Sequence, residues 1–129
     1  MNQTKILKEL LISWQTIVPD GEYTINKDGV IVFYKQPYLD NPKLCFHIDS
    51  KKRVWLSGIA VPEIRQGEGI GRKIVYVFFK KFYELGITEI GLDGYNSEFW
   101  RKVAYEDEIT EFWDVDRSTL TGEYNFTRE

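Results

Sequence analysis

Val61-Pro62-Glu63-Ile64-Arg65-Gln66-Gly67-Glu68-Gly69-Ile70-Gly71-Arg72-Lys73 is the stretch whose reading decides the fold of this chain. It lies between an apolar run at residues 54–61, which reads as a strand, and a helical apolar pattern that continues to Leu85. Three glycines at alternate positions, opening a helix, let the backbone approach a ligand closely and aim free N–H groups at it. The positive end of the helix dipole falls at the same place, so the natural guest is an anion such as a phosphate.

Downstream, Ile70, Ile74, Val77, Phe78, Phe82 and Leu85 form one stripe, with Arg72, Lys73, Lys80, Lys81 and Glu84 away from it. Gly86 supplies the helix stop. Residues 87–92 read as a short strand, and Asn96 as the cap of a brief helix running to about residue 102. Residues 109–115 and 124–126 read as two more antiparallel strands. Upstream, Leu44, Phe46 and Ile48 alternate with Cys45, His47 and Asp49, the pattern of a half-buried strand. Residues 23–25 and 30–34 flank Asp28-Gly29, a hairpin signal. Ile6, Leu7, Leu10, Leu11, Trp14, Ile17 and Val18 recur at helical spacing, with Thr4 as the expected N-cap and Pro19-Asp20-Gly21 as the stop. The pattern predicts one α+β domain over residues 1–129: an antiparallel meander, one strand–glycine loop–helix–strand crossover, and a closing hairpin.

Bulk properties narrow the function classes. A chain of 129 residues with 43% hydrophobic and 29% charged residues has the composition of a soluble globular protein. A net charge of -3 and a pI near 5.3 disfavour a broad nucleic-acid surface, so no nucleic-acid partner is expected. One cysteine, Cys45, and one histidine, His47, give no basis for a zinc site, and no metal is expected. No apolar run is long enough to span a bilayer, and Lys8 and Glu9 interrupt the N-terminal apolar pattern. The expectation is a cytoplasmic protein without a membrane partner.

The glycine loop is not a Walker A sequence, because Arg72-Lys73-Ile74 stands where Lys and Ser or Thr would be needed. Its GxGxG spacing after a meander also departs from the dinucleotide fingerprint, and a kinase glycine loop lies between two strands. The run LSGIAVPEIRQGEGIGRKI instead resembles the acetyl-CoA signature of the GNAT superfamily of N-acetyltransferases, with Gln66, Gly69 and Gly71 at the signature positions. The later run LGITEIGLDGYNSEFWRKVAY is similar to that family's next strand and aromatic-ended helix. The resemblance covers about residues 44–115. It implies a GNAT-like mixed, mostly antiparallel sheet with flanking helices, acetyl-CoA as acyl-donor cosubstrate, and an amine acceptor. A homodimer is among the assemblies left open.

By that resemblance the backbone of Gln66, Gly67, Glu68, Gly69, Ile70 and Gly71 would bind the CoA pyrophosphate, with Arg65, Arg72 and Lys73 adding positive charge. Glu68 would oppose an anion unless turned to solvent. Ile59, Ala60 and Val61 would pair through their backbone with the pantetheine arm, in a V-shaped cleft where two strands splay. Asn96 and Trp100 would complete the cofactor side. Transfer to an amine calls for a proton donor at the leaving thiol. The family often uses Tyr there, but the preferred alignment places Trp100 at that position, so Tyr105 and Tyr95 are the candidates. Residues 54–61 hold no ionisable side chain, which leaves Asp49, Glu63, Asp93 and His47 as flanking groups to weigh as a general base. The family's first strand and two-helix acceptor lid are expected to be reduced to one helix before the hairpin.

Overall fold

The computed structural model describes residues 3–62, 65–92, 97–117 and 123–129. Helix α1 (Gln3–Ile17) is followed by strands β1 (Glu22–Ile25), β2 (Ile31–Tyr34), β3 (Lys43–Ile48) and β4 (Arg53–Ala60). Helix α2 (Ile70–Glu84) and β5 (Glu89–Leu92) come next, then the short helices α3 (Ser97–Val103) and α4 (Asp107–Thr110), and finally β6 (Trp113–Arg117) and β7 (Tyr124–Arg128). Among the described residues the strands form one seven-stranded sheet in the order β1-β2-β3-β4-β5-β7-β6. Only β4 and β5 run parallel, because α2 carries the chain back across the sheet between them; the other pairs are antiparallel. This is the mixed, mostly antiparallel α+β sheet that the sequence pattern predicts. One helix, α1, precedes the β1–β2 hairpin, whose turn is braced by Asn26: its Oδ1 accepts from Asp28 N at 2.9 Å and Val30 N at 3.0 Å.

Two local expectations need correction. Thr4 lies inside α1 instead of capping it, since Gln3 is already helical. Residues 109–110 belong to α4, and β6 begins only at Trp113. The helix wins there because Asp107 and Glu108 sit in its first turn, where the dipole favours carboxylates, and because this geometry buries Ile109. Phe112 therefore precedes β6 in a turn and packs on Tyr83 at 5.1 Å, while Trp113 is buried. The closing hairpin is also folded inward, so that β7 pairs with β5 and β6 takes the edge.

An aromatic core holds the helices to one face of the sheet. Phe33 and Phe46 stack across β2 and β3 at 5.8 Å, and Phe78 of α2 meets both edge-on, at 5.5 and 6.4 Å. Phe82 abuts Phe46 at 5.3 Å, and Phe79 abuts Phe126 of β7 at 4.9 Å. Trp14 brings α1 into the same cluster, 5.8 Å from Phe33 and 6.0 Å from Phe78. Gly21 lies so close to the Trp14 indole that a β-carbon there would overlap the ring. Strand alternation turns Val32, Cys45, His47 and Trp55 to the opposite, half-buried face.

The β3–β4 turn is organised by Asp49. Its carboxylate accepts from Lys51 N at 2.8 Å, Arg53 N at 3.0 Å, Arg53 Nε at 2.7 Å and the Trp55 indole N–H at 3.1 Å. Desolvation pushes its pKa up, but the hydrogen bonds from the Arg53 backbone, Trp55, the Arg53 side chain and the Lys51 backbone outweigh it and hold the carboxyl well below the usual range. Asp49 is therefore a turn brace and a poor proton acceptor. Because the folded group titrates below its unfolded counterpart, its stabilisation is full above the unfolded aspartate pKa of about 4 and drains away as pH falls towards the lower folded value. An Asp49→Asn variant is expected to melt at a lower temperature at neutral pH, with the gap to wild type closing below pH ~4. Thermal melts across the acid range check this, and a pH-independent gap would contradict it.

Candidate functional site

The parallel pairing of β4 with β5 runs from Arg53 opposite Glu89 to Leu56 opposite Leu92 and stops there. Strand β4 continues to Ala60 along its other edge, pairing Gly58 with Cys45, Ile59 with Leu44 and Ala60 with Lys43. Between Leu56 and Gly58 the register shifts, leaving Ser57 as an extra residue in a β-bulge. Its hydroxyl donates to the Cys45 carbonyl at 3.2 Å. A strand edge without a β5 partner, bent by a bulge, forms one wall of a cleft.

That cleft has a volume of about 840 Å³, within the usual range for small-molecule sites of roughly 300–1,000 Å³. Leu56, Ser57, Gly58, Ile59 and Val61 line the β4 side. The glycine loop and the start of α2 close one end through Arg65, Gln66, Gly67, Gly69, Ile70, Gly71 and Arg72. Leu92 and, from α3, Glu98, Phe99, Trp100 and Lys102 form the opposite wall.

The loop has the geometry of an anion cradle. Gly67 and Gly69 have φ of +90° and +75°, a left-handed conformation that side chains resist, and Gly69 is the N-cap of α2. A β-carbon at either glycine would meet nothing within 4 Å. The glycines there answer to backbone shape and leave open space above the loop. The first intrahelical bond of α2 comes from Lys73 N to Gly69 O at 3.1 Å, so the N–H groups of Ile70, Gly71 and Arg72 have no carbonyl one turn back to bond. Gly71 has a different reason: a β-carbon would lie 3.2 Å from the Phe99 ring, so its smallness lets α3 close on the helix start.

The polar side chains around the cradle are tied down. Gln66 Nε2 donates to the Val61 carbonyl at 3.0 Å, which folds the loop back on the strand end. Arg65 donates to Asn41 Oδ1 at 3.3 Å and pairs with Glu68 at 3.5 Å. Arg72 approaches Glu106 at 3.9 Å, and Lys102 approaches Glu98 at 4.0 Å. Glu68 is exposed, paired with Arg65 and absent from the cleft wall, so it does not oppose a guest anion from inside.

Of the residues singled out in the sequence, the fold brings Ile59, Val61, Arg65, Gln66, Gly67, Gly69, Ile70, Gly71, Arg72 and Trp100 to this one cleft. Ala60, Glu68 and Lys73 do not line it; Ala60 follows the strand alternation away from Ile59. Trp100 is buried, stacked on Phe79 at 5.9 Å, and has one edge in the wall. Tyr105 lies elsewhere. Burial of Val103 and Ala104 at the end of α3 leaves it in the following turn, 55% exposed, beside Tyr124 at 6.0 Å. It does not reach the cleft as an acid. His47 sits on the opposite sheet face, its ring 6.5 Å from Trp55. Glu63, Asp93, Tyr95 and Asn96 lie outside the described residues.

Sequence reasoning missed the wall residues Leu56, Ser57, Gly58, Leu92, Glu98, Phe99 and Lys102 as cleft residues. A bulge leaves no mark in an apolar run, so Ser57 carried no signal. Phe99 and Lys102 did carry one, being three apart on a short helix and therefore on one side of it.

No protein-family model matches the chain, and no curated protein matches it in sequence. Solved structures do match in shape. The GNAT family N-acetyltransferase YhbS of Escherichia coli, solved in complex with CoA, superposes with a TM-score of 0.53 at 16% identity, over 90% of this chain and 67% of that one. An acetyltransferase of Bacillus subtilis, also in complex with CoA, gives 0.51 at 14% identity over 100% and 94%. The ribosomal-protein-S18-alanine N-acetyltransferase of Escherichia coli gives 0.50 at 12% identity over 98% and 86%. By these superpositions over most of its length, this chain has the fold of the GNAT N-acetyltransferases.

Proposed function

We propose that the chain is an acetyl-CoA-dependent N-acyltransferase, with the cleft between β4 and α3 as its cosubstrate site. The observation that carries this reading is the joining, in one cavity, of a left-handed glycine cradle at a helix N-terminus with an open strand edge. The cradle suits a diphosphate, whose charge meets the N–H groups of Gln66 to Gly71 and the positive end of α2. Arg65, Arg72 and Lys102 add positive charge at the rim, against the carboxylate of Glu98 among the described lining residues. The edge of β4 from Ser57 to Val61 suits an extended amide-bearing arm, which would bond to it as an added strand. The thioester end then falls beside Leu56, Leu92, Phe99 and Trp100, the apolar part of the cleft wall.

In the reaction the amine nitrogen forms a bond to the acyl carbon, the carbon–sulfur bond breaks, and the amine proton ends on the thiol sulfur. On this reading a backbone N–H at the Ser57 bulge, where the strand leaves its regular ladder at the cleft wall, would polarise the carbonyl. Trp100 stands where the family resemblance expects a Tyr, and no Tyr, His, Cys or Asp is among the described lining residues. That observation favours a second reading, a GNAT-fold protein that binds CoA without turning it over. Release of free thiol from acetyl-CoA in the presence of an amine panel separates the two. The cellular setting that goes with this reading is the cytoplasm, where acetyl-CoA is available; no helix among the described residues is long and apolar enough to cross a membrane.

Acetyl-CoA at a hundredfold excess over its Kd is expected to raise the melting temperature by on the order of 10 °C, with ATP and NAD giving no shift. Equal protection by ATP would overturn the cosubstrate assignment. Gly69→Asp places a carboxylate in the open space of the cradle and is expected to abolish the acetyl-CoA shift. Gly69→Ala, which adds left-handed strain of about 1–2 kcal/mol but no charge, should lower the apo melting temperature and keep much of the shift. Lys102→Ala is expected to weaken acetyl-CoA about fivefold, roughly 1 kcal/mol, and to make calorimetric affinity less dependent on salt.

A further inference from the structure

Arg65 is the cation of the glycine loop and lines the cleft. It is tied to a part of the chain 24 residues earlier, where its Nη1 donates to Asn41 Oδ1 at 3.3 Å. The sheet explains the meeting. Lys43, the first residue of β3, pairs with Ala60, the last of β4, so the β2–β3 connection stands beside the strand end that leads into the glycine loop. The backbone N–H of Arg65 donates to the Pro62 carbonyl at 2.8 Å, which turns the chain there and sends the side chain towards that connection.

The Asn41 amide is committed on both sides. Its Nδ2 donates to the Gln36 carbonyl at 3.3 Å and the Pro37 carbonyl at 3.1 Å. Those bonds decide which amide atom is left to face the guanidinium, and it is the acceptor oxygen. The backbone N–H of Asn41 donates to the Tyr38 carbonyl at 3.4 Å and closes the 3-10 turn Tyr38–Asp40. That turn buries none of its residues: Leu39 is 90% exposed, and Tyr38 packs on Tyr34 at 4.9 Å. Its shape therefore comes from hydrogen bonds rather than from the core, and the bonds converge on Asn41.

The second partner of Arg65 is of a different kind. Glu68 Oε2 lies 3.5 Å from Arg65 Nε, with the two side chains 57% and 36% exposed, and Glu68 does not line the cleft. A neutral amide orients a guanidinium without cancelling its charge, whereas a carboxylate orients it and cancels. The guanidinium keeps further N–H donors, beyond the Nη1 and Nε contacts, for an anion in the cleft.

We propose that Asn41 is a positioning residue that presents Arg65 to the phosphates of the cosubstrate, and that Glu68 is a built-in competitor for the same guanidinium. The identity of the anion as the diphosphate of CoA rests on the acyltransferase reading, while the opposed roles of the two partners rest on the Arg65 geometry alone. Asn41 holds the cation at the cleft wall with its full charge. Glu68 lowers the charge that an arriving anion meets, and a multiply charged guest overcomes one exposed carboxylate more readily than a singly charged one. Two neighbours of one cation thus act on anion affinity with opposite signs.

Calorimetry of the full chain with acetyl-CoA and, separately, with inorganic pyrophosphate reads both signs. Asn41→Ala is expected to weaken the bound anion about fivefold. Glu68→Gln, which keeps an acceptor oxygen for Arg65 but no charge, is expected to tighten it about threefold. Both effects should vanish in an Arg65→Ala background, which itself binds more weakly. Contacts that served only to hold the loops together would loosen binding in both variants and would not need Arg65. Where Asn41→Ala does not fold, Asn41→Asp takes its place: it keeps the oxygen that faces Arg65, adds a charge, and should also weaken the anion in an Arg65-dependent way. Any result other than opposite signs, or signs that persist in Arg65→Ala, overturns the proposal, as does a wild type that binds neither probe. Opposite signs with pyrophosphate and no binding of acetyl-CoA would sink the acyltransferase reading and leave the Arg65 arrangement standing.

Discussion

The clamp of α2 onto the sheet is the constraint on which the rest depends. Phe78, Phe79 and Phe82 are each almost wholly buried, and between them they touch the aromatic side chains of β2, β3, β7 and α3. Burying a large aromatic side chain contributes on the order of 2–3 kcal/mol, so the three together outweigh the cost of any single irregularity nearby. They fix the direction of the helix axis, and with it the place where the N-terminus of α2 points. The cradle cannot be moved without unseating a phenylalanine.

A parallel pair explains why the site is where it is. Antiparallel neighbours end at opposite edges of a sheet, but β4 and β5 end at the same edge, and each is followed by a helix that starts there. One strand end leads into the glycine loop and α2, the other towards α3 with Phe99 and Trp100. Stopping the pairing at Leu56 and Leu92 opens the gap between those two exits. The bulge at Ser57 widens it on the β4 side. Left-handed backbone at Gly67 and Gly69 and a broken ladder at Ser57 are local irregularities that a bare scaffold has no need of, and all of them face the cleft.

The fold was legible in the sequence wherever periodicity and burial agreed. The stripe of α2, the alternation of β3 and the Asp28-Gly29 hairpin each encode one face against the core, and the structure puts Phe78, Phe46 and Phe33 there. It failed where a tertiary choice overrode a local pattern. Residues 109–110 look like strand because Ile109 precedes Phe112 and Trp113, yet a single acidic-led helical turn forms there and buries Ile109. The site divided in the same way. Its loop was readable because glycines at positive φ are a backbone requirement written directly in residue type. Its walls were not, because which residues of β4 and α3 face the gap depends on a register shift and on where a pairing ends.

Electrostatics separates the parts of the assembled site. The cleft carries Arg65, Arg72 and Lys102 at its rim. The chain as a whole has a net charge of -3, so that positive sign does not follow from composition; it is placed by the fold. The basic side chains at the rim of the cleft favour an anion there. The same wall includes the apolar stretch of Leu56, Leu92 and Trp100, where a charge is not solvated well. On the proposed acyltransferase reading, a neutral amine meeting a neutral thioester is the encounter that such a stretch favours.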